Sequence, residues 1–315
     1  MRVHTVFIST CLALAADSAC HHRPSGGARS WDVQFGPVLG HELIVGRVVS
    51  GASAWIMTGA DTLVRVDVAG QRVATNPVHP LAAGEHVWGL ASMGEGDLWT
   101  LIGRSVLAQV SADGEVVRRL ELAEPHIGVF AGLRQLLYQV MSFDPPADAM
   151  TAGRPGAERK VWSRMRTRAL PFARPAVAAL NLVSCGSTAN GTIPCWFPDQ
   201  PSITLTAPSG ASRELALEGL PVVAPEILLA AENPQRPIRD AFVTLDDRVW
   251  ILGSGTYPAD DRSTRPGGWL LARYDGQGRL EARMALPEPA RILLGAGGDR
   301  CVLLAWDGRV VEVQP

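Results

Sequence analysis

The chain has 315 residues, 47% of them apolar and 19% charged, with a formal net charge of −2. These proportions fit a globular protein with a substantial core. The near-neutral balance excludes classes driven by charge alone, such as nucleic-acid binders and acidic tail proteins. Lys160 is the one lysine among 29 basic residues, which reads as codon bias in a GC-rich, bacterial genome.

Residues 1–20 read as an export signal. Arg2 and His4 open it, Val6–Ala16 is a compact apolar run, and small residues offer cleavage near Ala15 or between Ala19 and Cys20. That run is too short to span a bilayer, and no later stretch is long and apolar enough to do so. A secreted or periplasmic protein is expected. Lipidation at Cys20 is the second reading, because Asp17 stands where lipoprotein signals usually carry Leu. Residues 21–30 form a linker and residues 31–315 one domain.

The stretch Gly96–Leu122 reads as three short strands closed by turns at Gly103-Arg104 and Asp113-Gly114. Near-copies recur at Ser53–Pro77, Asp247–Pro287 and Asp299–Pro315. Four strands in a period of roughly 40–50 residues mark a propeller. Blades are expected at 42–78, 86–122, 126–172, 176–220, 239–287 and from 291. The second strand of each carries a large residue at a matching place: Trp55, Trp99, Tyr138, Trp196, Trp250 and Val302. These read as packing between blades. The last blade supplies three strands before the chain stops, while Ser30–Pro37 is strand-like with no unit of its own. The expected fold is therefore all-β: a six-bladed β-propeller with four antiparallel strands per blade, the N-terminal strand closing the last blade. The pattern resembles six-bladed propellers of the NHL and lactonase type.

Strand parity sorts the connections between two faces. One face takes short Gly- and Asp-rich hairpin turns. The other takes Ser142–Arg159, Gly219–Ile238 and Ser254–Gly267, and long excursions make it the expected working face.

Cys185 and Cys195 flank GSTANGTIP and are placed to bridge a hairpin in an exported protein. Cys301 lies in an apolar strand and reads as an inert core thiol. Asn190-Gly191-Thr192 matches a glycosylation acceptor by chance. A basic run from Arg154 to Arg174 reads mainly as a solvated strand, with Arg154 and Arg159 kept as candidates for an acidic ligand.

The residues just before each inner strand are the sharpest signal. His41, His86 and His126 precede the first three, accompanied by Glu42, Glu85 and Glu124. Arg174, Arg239 and Arg291 precede the next three, with Asp240 and Glu288 nearby. By parity these positions ring the mouth of the central channel. Three histidines beside arginines resemble the zinc site of the peptidyl-amidating lyases, which implies a divalent metal at His41, His86 and His126 and a carboxylate substrate on the arginines. Glu42, Asn181 and Asp240 are similar to the metal cage of gluconolactonases, with calcium as the alternative ion. Channel mouths are also wet and collect polar residues without any ligand, and that reading comes first.

The sequence thus supports a secreted or periplasmic binding module, expected as a monomer, for a protein, peptide or small anionic ligand held by Arg174, Arg239, Asp240, Arg291, Glu42, Glu85, Arg154 and Arg159. A metal-dependent lyase or hydrolase at the channel mouth is the alternative.

Overall fold

The computed structural model describes residues 29–31, 44–50, 53–67, 72–93, 97–126, 128–132, 135–143, 146–166, 183–197, 200–220, 222, 236–254 and 268–315. Strand β1 (Arg29–Trp31) comes first. The first sheet is β2 (Ile44–Ser50), β3 (Ser53–Thr58), β4 (Thr62–Asp67) and β5 (Arg72–Pro77). The second is β6 (Val87–Ser92), β7 (Leu98–Ile102), β8 (Val106–Val110) and β9 (Val116–Glu121). The third is β10 (Gly128–Gly132), β11 (Gln135–Phe143), β12 (Pro146–Gly153) and β13 (Lys160–Arg166). In each of these sheets, sequential strands pair antiparallel.

The rest of the chain is knit more closely. It runs through β14 (Ser184–Cys185), β15 (Ser187–Thr188), β16 (Ile193–Trp196), β17 (Ser202–Thr206) and β18 (Ser212–Ala216). It continues through β19 (Asp240–Val243), β20 (Val249–Gly253), β21 (Gly268–Tyr274), β22 (Leu280–Gly297), β23 (Arg300–Ala305) and β24 (Val310–Val313). The fourth sheet is β14-β16-β17-β18, and an eight-stranded fifth sheet has the order β1-β24-β23-β22-β21-β20-β19-β15. In β22, residues up to Ala290 pair with β21 and residues from Ala290 onward pair with β23, so one long strand serves both halves of this sheet. The expected break before Arg291 is therefore continuous strand. Arg29–Trp31 pairs antiparallel with Val310–Glu312, so an N-terminal strand does complete the C-terminal part of the sheet. It takes in Arg29 and Ser30, expected as linker, and residues 32–37 of the expected strand lie outside the described residues.

Buried apolar clusters lie between neighbouring sheets all the way round. Trp55 and Met57 meet Val87 and Leu98, Trp99 meets Tyr138, and Leu137 meets Cys195. Trp196 then meets Val249, Trp250 meets Leu303, and Val302 returns to Ala54 and Ile56. The ring is closed, and the architecture is that of a β-propeller. Each large residue in the expected series is at most 5% exposed, so the series is core. Arg65 stacks over Trp55 and Arg273 over Trp250, each from the position directly opposite on the next strand.

Two further expectations change, and the expected excursions Gly219–Ile238 and Ser254–Gly267 lie mostly outside the described residues. Ser142–Arg159 is not a long loop. Phe143 pairs with Pro146, and the pairing runs down to Leu136 with Gly153, making an extended hairpin whose tip reaches beyond β10. The first strand of the fourth sheet was expected at Ala176–Val183, most of which lies outside the described residues; the described pairing begins at Ser184. After Gly186 this inner strand leaves its own sheet, and Ser187 and Thr188 pair parallel with Phe242 and Val243.

Gly186 permits that crossing. A Cβ there would lie 2.1 Å from the Ala241 carbonyl oxygen, and one at Gly46 would lie 2.2 Å from the Leu90 nitrogen. Neighbouring inner strands approach so closely that a methyl group cannot enter. Gly186→Ala should therefore cost about 1–3 kcal/mol in urea unfolding. Gly295→Ala, whose Cβ would meet only Val49 at 3.8 Å, should be nearly neutral. Equal stability of the two variants would contradict the close approach.

Candidate functional site

The inner strands enclose an axial cavity of about 320 Å³, lined by segments of β2, β6, β10, β14, β15, β19 and β22. The wall mixes apolar side chains, including Val48, Leu90, Val129 and Ile292, with polar ones, and the charged pair within it needs an account. Arg47 sits in the middle of β2, and its side chain and that of Asp240 are each only 8% exposed. Burying a cation alone would be prohibitive, but every face of this one is met. Its Nε donates to Ser187 Oγ at 2.9 Å, one Nη to the Asp240 carboxylate and the other to the Ala241 carbonyl at 3.0 Å. Asp240 in turn accepts from the Leu293 and Ala241 amides, at 2.7 and 2.9 Å. Gln139, also buried in the wall, donates to the Val183 carbonyl at 3.3 Å.

Asp240, expected at the mouth as a ligand group, is thus the counter-ion of Arg47. Arg47 itself was missed, although a lone cation inside IVGRVV was a legible signal. Glu85 is likewise engaged: Arg119 donates to both its oxygens, at 2.8 and 3.0 Å, and the Ala82 amide donates at 2.7 Å. The Arg119 guanidinium, then the Ala82 amide, hold its carboxyl below the usual carboxylate range.

His86 and His126 occupy different surroundings. The His86 imidazole is 63% exposed and meets Asp61 through Nδ1 at 2.9 Å. His126 is fully buried, edge-on to Tyr138 at 5.5 Å, with its Nε2 accepting from Arg159. Arg159 also stacks over Tyr138 at 5.1 Å and lies 3.6 Å from Glu124. It sits in the turn between β12 and β13, not on a long loop, and reaches His126 between the sheets. Burial, then the Arg159 charge, push His126 down to about 4, against the opposing Glu124 carboxylate. Burial raises Tyr138 to about 12.

His41, Glu42 and Arg174 lie outside the described residues. Among the described residues no three His, Cys, Asp or Glu side chains gather as a metal site. An Nε2 that accepts from a guanidinium has no lone pair left for a metal, so His126 as it stands does not fit a zinc or calcium ion. Arg154 is exposed in its turn. Arg239 donates through Nε to Ser254 Oγ at 2.9 Å, and the same oxygen accepts the Arg236 amide at 3.2 Å. Arg236 is pushed below the ordinary guanidinium value by burial. Arg291 stacks over Trp306 at 5.3 Å. Cys185 and Cys195 stand directly opposite each other on β14 and β16, 4.1 Å apart at Cα, and form the expected disulfide. Cys301 is a buried free thiol.

No protein-family profile matches the chain, and no curated protein does. Among solved structures it is similar to virginiamycin B lyase from Staphylococcus aureus, with a TM-score of 0.52 and 11% identity over 92% of this chain and 99% of that one. It is also similar to YCF48 from Cyanidioschyzon merolae, with a TM-score of 0.51 and 13% identity over 91% and 99%. These likenesses establish the class, a β-propeller, and no more.

Because His126 is neutral when buried and its folded value lies below the unfolded 6.5, the unfolded chain binds more protons between the two. Its contribution is fully present above pH 6.5 and is lost as pH falls towards about 4. The loss should amount to about 3 kcal/mol. Wild type should lose more stability over this window than His126→Gln in urea titrations. Parallel pH profiles would contradict the assignment.

Proposed function

We propose that this protein is an exported, six-bladed propeller that acts as a binding module for a small anionic ligand or an acidic peptide at the mouth of its axis. The observation that carries the reading is the arrangement of charge around the axial cavity. Inside, Arg47 and Asp240 neutralise each other. At the entry, Arg239 and Arg291 stand next in sequence to the wall residues Asp240 and Ile292. On this reading an anion is held by these guanidinium groups, ahead of a cavity wall of mixed polar and apolar groups.

The count of six rests on the four four-stranded sheets and on the division of β22 between two strand partners in the fifth. Export is supported by the disulfide, which belongs to oxidising compartments, and by the apolar run Val6–Ala16.

Citrate is a suitable probe. Calorimetric titration should show binding that weakens about tenfold in Arg239→Gln and in Arg291→Gln. Unchanged affinity in both variants, or no binding of citrate to wild type, would overturn the anionic reading.

A further inference from the structure

A second cluster on the mouth face is built from groups that neither the axial cavity nor the core uses. Trp88, the second residue of β6, is 37% exposed although it is the largest apolar side chain in its strand. Arg104 lies over its indole at 5.5 Å. Beside them, Asp61 accepts from the Val87 amide at 2.7 Å with one oxygen and holds His86 Nδ1 at 2.9 Å with the other. That contact fixes the ring of an exposed imidazole at the edge of the cluster. The pieces are fixed to one another through the backbone. The Gly103 amide donates to the His86 carbonyl at 2.9 Å, and the Arg104 carbonyl accepts the His126 amide at 2.9 Å.

The backbone itself adds an independent observation. Among the described residues three that are not glycine have positive φ: Asp61 at 59°, Arg104 at 112° and Asp247 at 61°. Two of them belong to this cluster. Asp tolerates the left-handed region, but Arg at 112° stands in a conformation that suits glycine. Glycine would cost nothing at this exposed turn, and strain of this kind collects where a side chain is needed. Among the described residues no carboxylate pairs with Arg104, whereas Arg47, Arg119, Arg248, Arg273, Arg300 and Arg309 each have one.

We propose that Trp88 and Arg104, braced by the His86–Asp61 contact, form a recognition site for the carboxylates of an acidic peptide segment. The proposal rests on the reading of this protein as a binding module and names a site apart from the axial arginines. A guanidinium that lies over an indole without a carboxylate partner keeps N–H groups for a planar, bidentate acceptor, which a carboxylate is. The indole supplies an apolar wall for the stem of the same side chain or its neighbour. The Asp61 carboxylate, 20% exposed beside His86, disfavours a doubly charged phosphate more than a singly charged carboxylate.

The test uses the mature chain and a blocked Glu-Glu-Phe-Glu-Glu peptide, with the Gln-for-Glu peptide as its control, in titration calorimetry. Wild type should bind the acidic peptide and not the control, and inorganic phosphate should not displace it. Arg104→Gln and Trp88→Ala should each weaken binding about tenfold or more. Arg104→Gly separates binding from folding. Relief of the backbone should raise its melting temperature by about 2–5 °C while peptide binding falls as it does in Arg104→Gln. Wild-type affinity in Arg104→Gly, or equal binding of the control peptide, overturns the site. If Arg239→Gln abolishes peptide binding and Arg104→Gly does not, the site is wrong and the binding module stands. If wild type binds no acidic peptide, the site falls, and the citrate titration judges the binding module by itself.

Discussion

A single guanidinium at the axis holds four parts of the ring in register. Arg47 belongs to the first sheet, Ser187 to the inner strand that leaves the fourth, and Asp240 and Ala241 to β19, while the Asp240 carboxylate also takes the Leu293 amide from β22. Inner strands of a propeller are sheet edges, and their unpaired amides and carbonyls must find partners away from water. Here two glycines bring neighbouring edges together, and the Arg47 knot satisfies edge groups where they do not pair directly. A buried ion pair brings little net stability compared with a well-packed apolar core, but breaking one side of it is costly. Its value lies in specification, because only one arrangement of the sheets brings these donors and acceptors together.

With its axial charge internally balanced, the ring leaves its reactive surface to the turns above the inner strands. There, polar side chains are tied across neighbouring elements. Asp61 of the first sheet's turn holds His86 and Val87 at the start of β6, and Glu85 holds Arg119 of β9. Arg159 of the third sheet reaches His126 at its entry. Such cross-braces fix the elements that carry Trp88 and Arg104, so the proposed site would need little ordering on binding.

The four-strand period, the buried aromatic series, the cysteine pair and the N-terminal closure were all legible because each rests on local pattern: turns, alternation and spacing. Ser142–Arg159 misled because Asp144-Pro145-Pro146 looks like the start of a loop, whereas the pairing of β11 with β12 continues past the end of β10. The role of Arg47 was hidden for a different reason, although the residue itself stood out in its apolar run. Its partner Asp240 lies 193 residues away, and no local signal links a cation in β2 to a carboxylate opening β19. Arg104 was read correctly as part of a turn, but its φ, the feature that sets it apart, has no signature in residue type. Parity led to the expectation that the mouth residues face the channel; of those described only Asp240 lines the cavity, and which of them were already committed to partners depended on long-range geometry.

The central claim is that the Arg47–Asp240 pair closes the ring around its axis. A double-mutant cycle by urea unfolding, with Arg47→Met, Asp240→Asn and both together, tests it most directly. Each single change should cost about 3–5 kcal/mol, because it leaves a buried charge without its partner. The double variant should be about as stable as either single one, giving a coupling of at least about 2 kcal/mol. Single losses under about 1 kcal/mol that simply add would contradict the account.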